Sequence, residues 1–133
     1  MRTFLLLMIT ACLMPKIQAQ SLAIADIQPD SSNYSNIYIK KIVEDSLQST
    51  YIIWIKKGVK THYHHHHTEL IYVIEGSGEM TLGDSSFSVV KGDFFMIPMQ
   101  THHAVNTTSK IPLKVMSVQC PKFDGDRIWV DEP

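Results

Sequence analysis

The sequence predicts an all-β sandwich or barrel, and three observations carry that expectation. Short runs rich in β-branched and aromatic residues recur between breaks made by glycine, proline and aspartate. Beyond the N-terminal apolar stretch, no segment sustains a helical period over three turns. Gly83-Asp84, set between Met80-Thr81-Leu82 and Ser85-Ser86-Phe87, is a two-residue hairpin signal.

At 133 residues, with 44% hydrophobic and 19% charged residues, the chain is expected to form one domain that folds without a staple. Its formal charge is -1 and its basic residues form no run beyond Lys40-Lys41 and Lys56-Lys57. That balance gives no footprint for nucleic acid or for a membrane surface.

Residues 1–19 read as a signal peptide. Arg2 supplies the positive start, and Phe4 to Met14 is an apolar core too short to span a membrane. Pro15 ends it, and Ile17-Gln18-Ala19 offers a cleavage site, so the mature chain starts near Gln20. A second reading takes Ile9-Thr10-Ala11-Cys12 as a lipoprotein box with Cys12 acylated; simple cleavage is favoured because a core ending at Ala11 is unusually short. Both readings export the protein, to the periplasm or beyond. Cleavage would leave one cysteine, Cys120, expected to be buried in the strand "KVMSVQC".

Residues 20–45 are expected to hold an N-terminal arm and a first strand. The arm, Gln20 to Asn36, is polar and without period, with a turn at Pro29-Asp30; the strand covers Ile37–Val43. Residues 46–121 form the β-domain proper. "STYIIWIKK" reads as a strand closed by Gly58. Further strands are expected near 62–66, 69–74, 79–82, 85–89, 94–97, 102–106 and 113–120, separated by Gly76-Ser77-Gly78, Gly83-Asp84, Lys91-Gly92-Asp93, Pro98 and Ile111-Pro112. The tail, 122–133, carries Asp124, Asp126, Asp131 and Glu132 and is expected to wrap the surface, with Trp129 as an anchor.

Histidine falls in two tight clusters: five residues in "THYHHHHTEL" and the pair His102-His103. Side chains alternate faces along a strand, so His62, His64 and His66 share one face and His65 and His67 take the other. Two imidazoles two residues apart can converge on one ion. Glu69 has the wrong parity for a continuous strand, so a turn near His67-Thr68 must bring it back. A carboxylate opening the apolar run "LIYVI" needs a partner, and a divalent cation would be one. His62, His64 and Glu69 are therefore the candidate ligands. His66 and His67 are expected at the rim or in solvent, and His65 packed or at the rim. A loose surface chelator made of exposed histidines is the plainer alternative.

Gly58 to Gly76 resembles the first motif of the cupin superfamily, G-x(5)-H-x-H-x(3,4)-E-x(6)-G, through His62, His64, Glu69 and Gly76; the first glycine lies closer to His62 than the motif has it. Gly92 to Asn106 resembles the second, G-x(5)-P-x-G-x(2)-H-x(3)-N, through Gly92, Pro98 and His103. Gln100 stands where that motif has glycine, which suggests an altered turn before the ligand strand, and Asn106 comes one residue early. The resemblance covers about Ser49 to Cys120. It implies a double-stranded β-helix, or jelly-roll barrel, holding a divalent transition metal (Mn, Fe, Co, Ni, Cu or Zn) on His62, His64, Glu69 and His103, with His103 favoured over His102. It also implies a small-molecule ligand or substrate and makes a homodimer the expected assembly.

Trp54, Tyr72, Phe94, Phe95, Met96 and Met116 are candidates for the pocket wall, and Tyr63, Glu75 and Gln119 for auxiliary roles. Two functions remain open. One is a metal-dependent enzyme of dioxygenase, isomerase or decarboxylase type acting on a substrate that chelates through oxygen. The other is a non-catalytic metal- or ligand-binding module.

Overall fold

The computed structural model describes residues 21–130; the expected signal peptide lies outside them. Ten strands follow in chain order. They are β1 (Ile37–Glu44), β2 (Ser49–Ile55), β3 (Gly58–His64), β4 (Thr68–Glu75), β5 (Ser77–Leu82), β6 (Ser85–Val90), β7 (Phe94–Ile97), β8 (His103–Thr107), β9 (Leu113–Cys120) and β10 (Arg127–Trp129). They form two five-stranded sheets, ordered β1-β2-β9-β4-β7 and β10-β3-β8-β5-β6, with every pairing antiparallel. Each consecutive pair from β2 to β5 changes sheet, which gives the jelly-roll weave of a double-stranded β-helix.

The expected strands form, with their boundaries shifted, and one strand is added. β3 begins at Gly58 and ends at His64, because Gly58 pairs with Asn106 and His62 with His103. Gly58 therefore opens β3 instead of closing β2. A Cβ there would sit 2.5 Å from the Val105 carbonyl oxygen, so only glycine allows the close approach of β8. β5 starts at Ser77, directly after Gly76 turns the chain at φ 80°. The tail is more than a surface wrap: its β10 joins the second sheet by pairing with β3.

Alternation along the strands sorts side chains into two clusters. Ile53, Ile55, Ile71, Val73, Met80, Val89, Ile97, Val105, Leu113 and Val115 fill the space between the sheets. Burial of each such side chain stabilises the fold by about 1.5–3 kcal/mol. Ile52, Trp54 and Ile74 form a second cluster on the outer face of the first sheet, covered by Ile24, Ile27 and Tyr34 of the N-terminal arm. The arm includes a short 3-10 turn, Ile24–Asp26. Lys114, 1% exposed, fastens it: its Nζ donates to the Ala25 and Ile27 carbonyls, both at 2.8 Å.

The same alternation corrects two expectations. Cys120 is exposed, because Val115, Ser117 and Gln119 are the buried, inward-facing residues of the second half of β9. Of the six expected wall residues only Phe95 lines the inter-sheet cavity. Trp54 and Met116 pack in the outer cluster, and Tyr72, Phe94 and Met96 are exposed.

Candidate metal centre

β3 and β8 meet in a register that sets His62 directly opposite His103, so both rings point between the sheets. His64 lies two residues along the same face of β3. Glu69 enters from β4 in the facing sheet. His62, His64, Glu69 and His103 are 4%, 2%, 5% and 4% exposed, so the four converge in the interior. Of the two adjacent histidines His102 is exposed and His103 is the buried, inward residue.

The ring centroid of His62 lies 4.1 Å from that of His103 and 5.1 Å from that of His64. Each of the three histidines offers a ring nitrogen within 4.8 Å of the other two, and the trio could hold a metal ion. Glu69 Oε2 is 3.6 Å from His64 Nε2 and 3.7 Å from His103 Nε2, too far for a hydrogen bond in either case. Its other oxygen, Oε1, is occupied: Ser117 Oγ donates to it, as does Gln119 Nε2 at 3.2 Å.

Local backbone fixes the tautomers of two rings. His62 Nδ1 lies 2.8 Å from the Lys60 carbonyl, and His103 Nδ1 lies 2.9 Å from the Thr101 carbonyl. A carbonyl only accepts, so each Nδ1 carries the proton and each Nε2 is left with a lone pair. His103 Nε2 and both nitrogens of His64 are buried without a hydrogen-bond partner. Orphaned buried nitrogens cost about 1–3 kcal/mol each unless something binds them. A cation among them would take one nitrogen from each ring, so the donor set fits a metal ion.

The electrostatics agree with neutral rings around an ionised carboxylate. Burial pushes His62 down to about 3. Burial likewise lowers His103. For Glu69 burial alone would raise the value, but the facing His64 ring and the Ser117 hydroxyl outweigh it and hold the group at about 2. Imidazoles that resist protonation beside a carboxylate that keeps its charge are in the state that binds cations.

The chain turns at His65-His66, just before the position the parity argument required, and both side chains point outward and are exposed. His67 departs from expectation. It is 1% exposed, not at the rim, because the turn reverses strand parity and folds its ring against His64 at 4.0 Å between centroids. Its Nδ1 lies 2.8 Å from Asp126 Oδ1, which in turn lies 3.8 Å from His64 Nδ1. The His66 backbone N–H donates to Asp126 Oδ2 at 2.7 Å. Asp126 was invisible as a site residue because it sits in an acidic tail; its role arises only when β10 pairs with β3. Trp129, expected as an anchor, is 52% exposed and lays its ring 5.1 Å from that of His62.

Of the auxiliary candidates, Gln119 reaches Glu69, whereas Tyr63 packs on exposed His102 and Glu75 is exposed. Ser117 is the residue that sequence reasoning missed here; its signal was its in-phase position two residues before Gln119 on β9. Beside His62, Glu69 and His103 the inter-sheet space leaves a cavity of about 70 Å³. Its walls are apolar except at His62, Glu69, His103 and Arg127.

Gln100 departs from expectation in the opposite sense. The turn before β8 is not remodelled: Gln100 adopts φ 60°, the left-handed conformation that glycine favours, and its N–H donates to the His64 carbonyl at 2.7 Å. The backbone bond from Gln100 ties the two histidine-bearing segments together.

Comparison with known proteins agrees with this architecture. The family model described as the cupin domain matches residues 51–119, which is just over half the chain. An uncharacterised protein of Methanocaldococcus jannaschii is 37% identical over 95 residues, spanning 70% of this chain and 72% of that protein. A conserved Klebsiella pneumoniae protein with a double-stranded β-helix domain superposes with a TM-score of 0.71 at 14% identity, covering 86% of this chain and 100% of the other. Streptomyces PAC13, solved with uridine and described as a nucleoside dehydratase, superposes with a TM-score of 0.65 at 16% identity over 74% of this chain and 82% of its own. The weave of the two sheets, the inward histidines at the motif positions and the family match agree, and the chain belongs to the cupin domain family.

Proposed function

We propose that this chain is an exported, metal-dependent cupin enzyme of dioxygenase or isomerase type, acting on a small substrate that chelates through oxygen. His62, His64, Glu69 and His103 are the ligands in this reading. The observation that carries it is the set of buried histidine nitrogens with no protein partner, gathered beside the ionised Glu69 at the end of an apolar cavity. A divalent ion bound there would supply Lewis acidity or an oxygen-binding centre, with positions left for water or a substrate oxygen.

The chain's own residues define what surrounds that chemistry. The Lys60 and Thr101 carbonyls hold the His62 and His103 rings in one tautomer. Ser117 and Gln119 take Glu69 Oε1, leaving Oε2 for the centre. The aliphatic walls keep bulk water from a bound substrate and strengthen charge interactions at the rim. PAC13 acts on a nucleoside with the same fold, which supports a catalytic use of such a cavity without transferring its substrate.

A non-catalytic binding or sensing module is the second reading. It is favoured by the cavity lining, which offers no acid or base apart from the proposed ligands and Arg127. Export rests on residues 1–19 as read above.

Elemental analysis of protein purified from its native compartment, together with Glu69→Gln, tests the centre. About one ion per chain is expected, with a marked loss of affinity in Glu69→Gln. Unchanged stoichiometry in that variant would instead indicate a surface histidine chelator. Screening the loaded protein against catechols, keto acids and flavonoid-like diols, with oxygen uptake followed, separates enzyme from binder. Turnover supports the first reading, and its absence across the set favours the second.

A further inference from the structure

Arg127 lies next to the centre, and no motif drew attention to it. In β10 it pairs directly opposite His64 of β3, and it lines the same cavity as His62, Glu69 and His103. Its Nε is buried without a hydrogen-bond partner, and among the described residues it takes part in no ion pair. The neighbouring carboxylate, Asp126, is turned to the His66 N–H and the His67 ring. The rings of Phe123 and Trp129 lie 6.0 and 5.6 Å from the guanidinium, within the range of a cation–π contact.

The charge balance of the cavity then calls for an anion. Glu69 offsets one unit of a divalent ion, and Arg127 adds a further unit that no side chain among the described residues pairs with. An arginine fork pairs best with a planar carboxylate. The rest of the lining is hydrocarbon, and the volume is small. From this we infer that the substrate or ligand is a small 2-oxo or 2-hydroxy acid. Arg127 holds its carboxylate, the adjacent oxygen is directed to the histidine centre, and a short apolar chain lies between the sheets. This inference rests on the metal-centre reading above and names its substrate class.

Calorimetric titration of the full mature chain, metal-loaded and metal-free, tests it. The probes are 2-oxo and 2-hydroxy acids of three to six carbons, each paired with its neutral primary amide, and inorganic phosphate. At least one acid is expected to bind the loaded protein about tenfold or more tightly than its amide. Arg127→Met should erase that preference while leaving metal content unchanged by elemental analysis. Arg127→Gln serves as a second neutral variant if the first does not fold, and Arg127→Lys should keep part of the preference. Binding of no acid, equal binding of acid by wild type and Arg127→Met, or tighter binding of phosphate than of every acid would each overturn the inference. The two readings fail separately. If the protein holds no metal but the metal-free chain still prefers acid through Arg127, the carboxylate site stands and the metal centre falls. Stoichiometric metal that is lost in Glu69→Gln, with no Arg127-dependent acid binding, overturns the carboxylate site alone.

Discussion

Gln100 holds a φ of 60° where a side chain pays for a glycine-like turn. A residue with a Cβ in this region is strained by about 1–2 kcal/mol. The turn persists because its N–H reaches the His64 carbonyl and because His103, three residues on, is locked inward by β3. Gln100→Gly is therefore expected to leave the site intact and raise the unfolding midpoint, with a gain up to about 1 kcal/mol. Gln100→Val should lower stability by about 1–2 kcal/mol, since branching at Cβ worsens the same clash. Denaturant unfolding of the two variants measures both, and the opposite order would show that the turn is not strained. The sequence marked this position as a departure from the motif but could not say whether backbone or side chain would yield. Its neighbours in space, not in sequence, decide that.

At the scale of elements, the N-terminal arm and the C-terminal tail are the parts that most changed meaning. The arm reads as aperiodic and polar, yet Ile24 and Ile27 cover Ile52, Trp54 and Ile74, and Lys114 caps the carbonyls around its 3-10 turn. A lysine at the start of a strand gives no hint of this, since on an exposed face it would be solvated. Lys114→Met keeps the volume but leaves the Ala25 and Ile27 carbonyls without their donor. It is expected to cost about 1.5–3 kcal/mol and to expose the arm to protease before the barrel unfolds. Limited proteolysis alongside urea unfolding distinguishes that outcome from a uniform loss of stability, which would sink the idea that Lys114 fastens the arm. The tail likewise looked like an acidic wrap, and it supplies Asp126 and Arg127 to the interior only because three residues of it pair with β3.

For the whole molecule, the buried centre couples folding to pH. The ordinary value for His62 is 6.5, and in the folded chain it falls to about 3. Between those values the unfolded chain binds a proton that the folded chain refuses. Its contribution to stability is complete above about pH 6.5 and is lost as pH falls toward 3. Glu69, held at about 2 against an ordinary 4.5, adds a further loss below about pH 4.5, and lowered His103 acts in the same direction as His62. The metal-free protein should thus lose about 4 kcal/mol of stability between pH 7 and pH 4. Urea unfolding across that range measures it, and a flat profile would mean that these histidines are not buried neutral in solution.

What the sequence determined by itself is local in origin. The strands from β1 to β9, the Gly83-Asp84 hairpin and the inward phase of His62 and His64 follow from period and turn chemistry within a few residues. Glu69 follows from the cost of an unpaired carboxylate, and His103 from the spacing of a recognisable motif. What only the tertiary structure decided depends on pairing between distant segments. The inward turn of His67, the outward face of Cys120, the covering of Trp54 by the arm, and the arrival of Asp126 and Arg127 beside His64 all belong here. In each case alternation fixes two faces but not which of them another part of the chain will bury. That choice is made by strands that meet across dozens of residues, where the hydrophobic effect acts on the assembled surface.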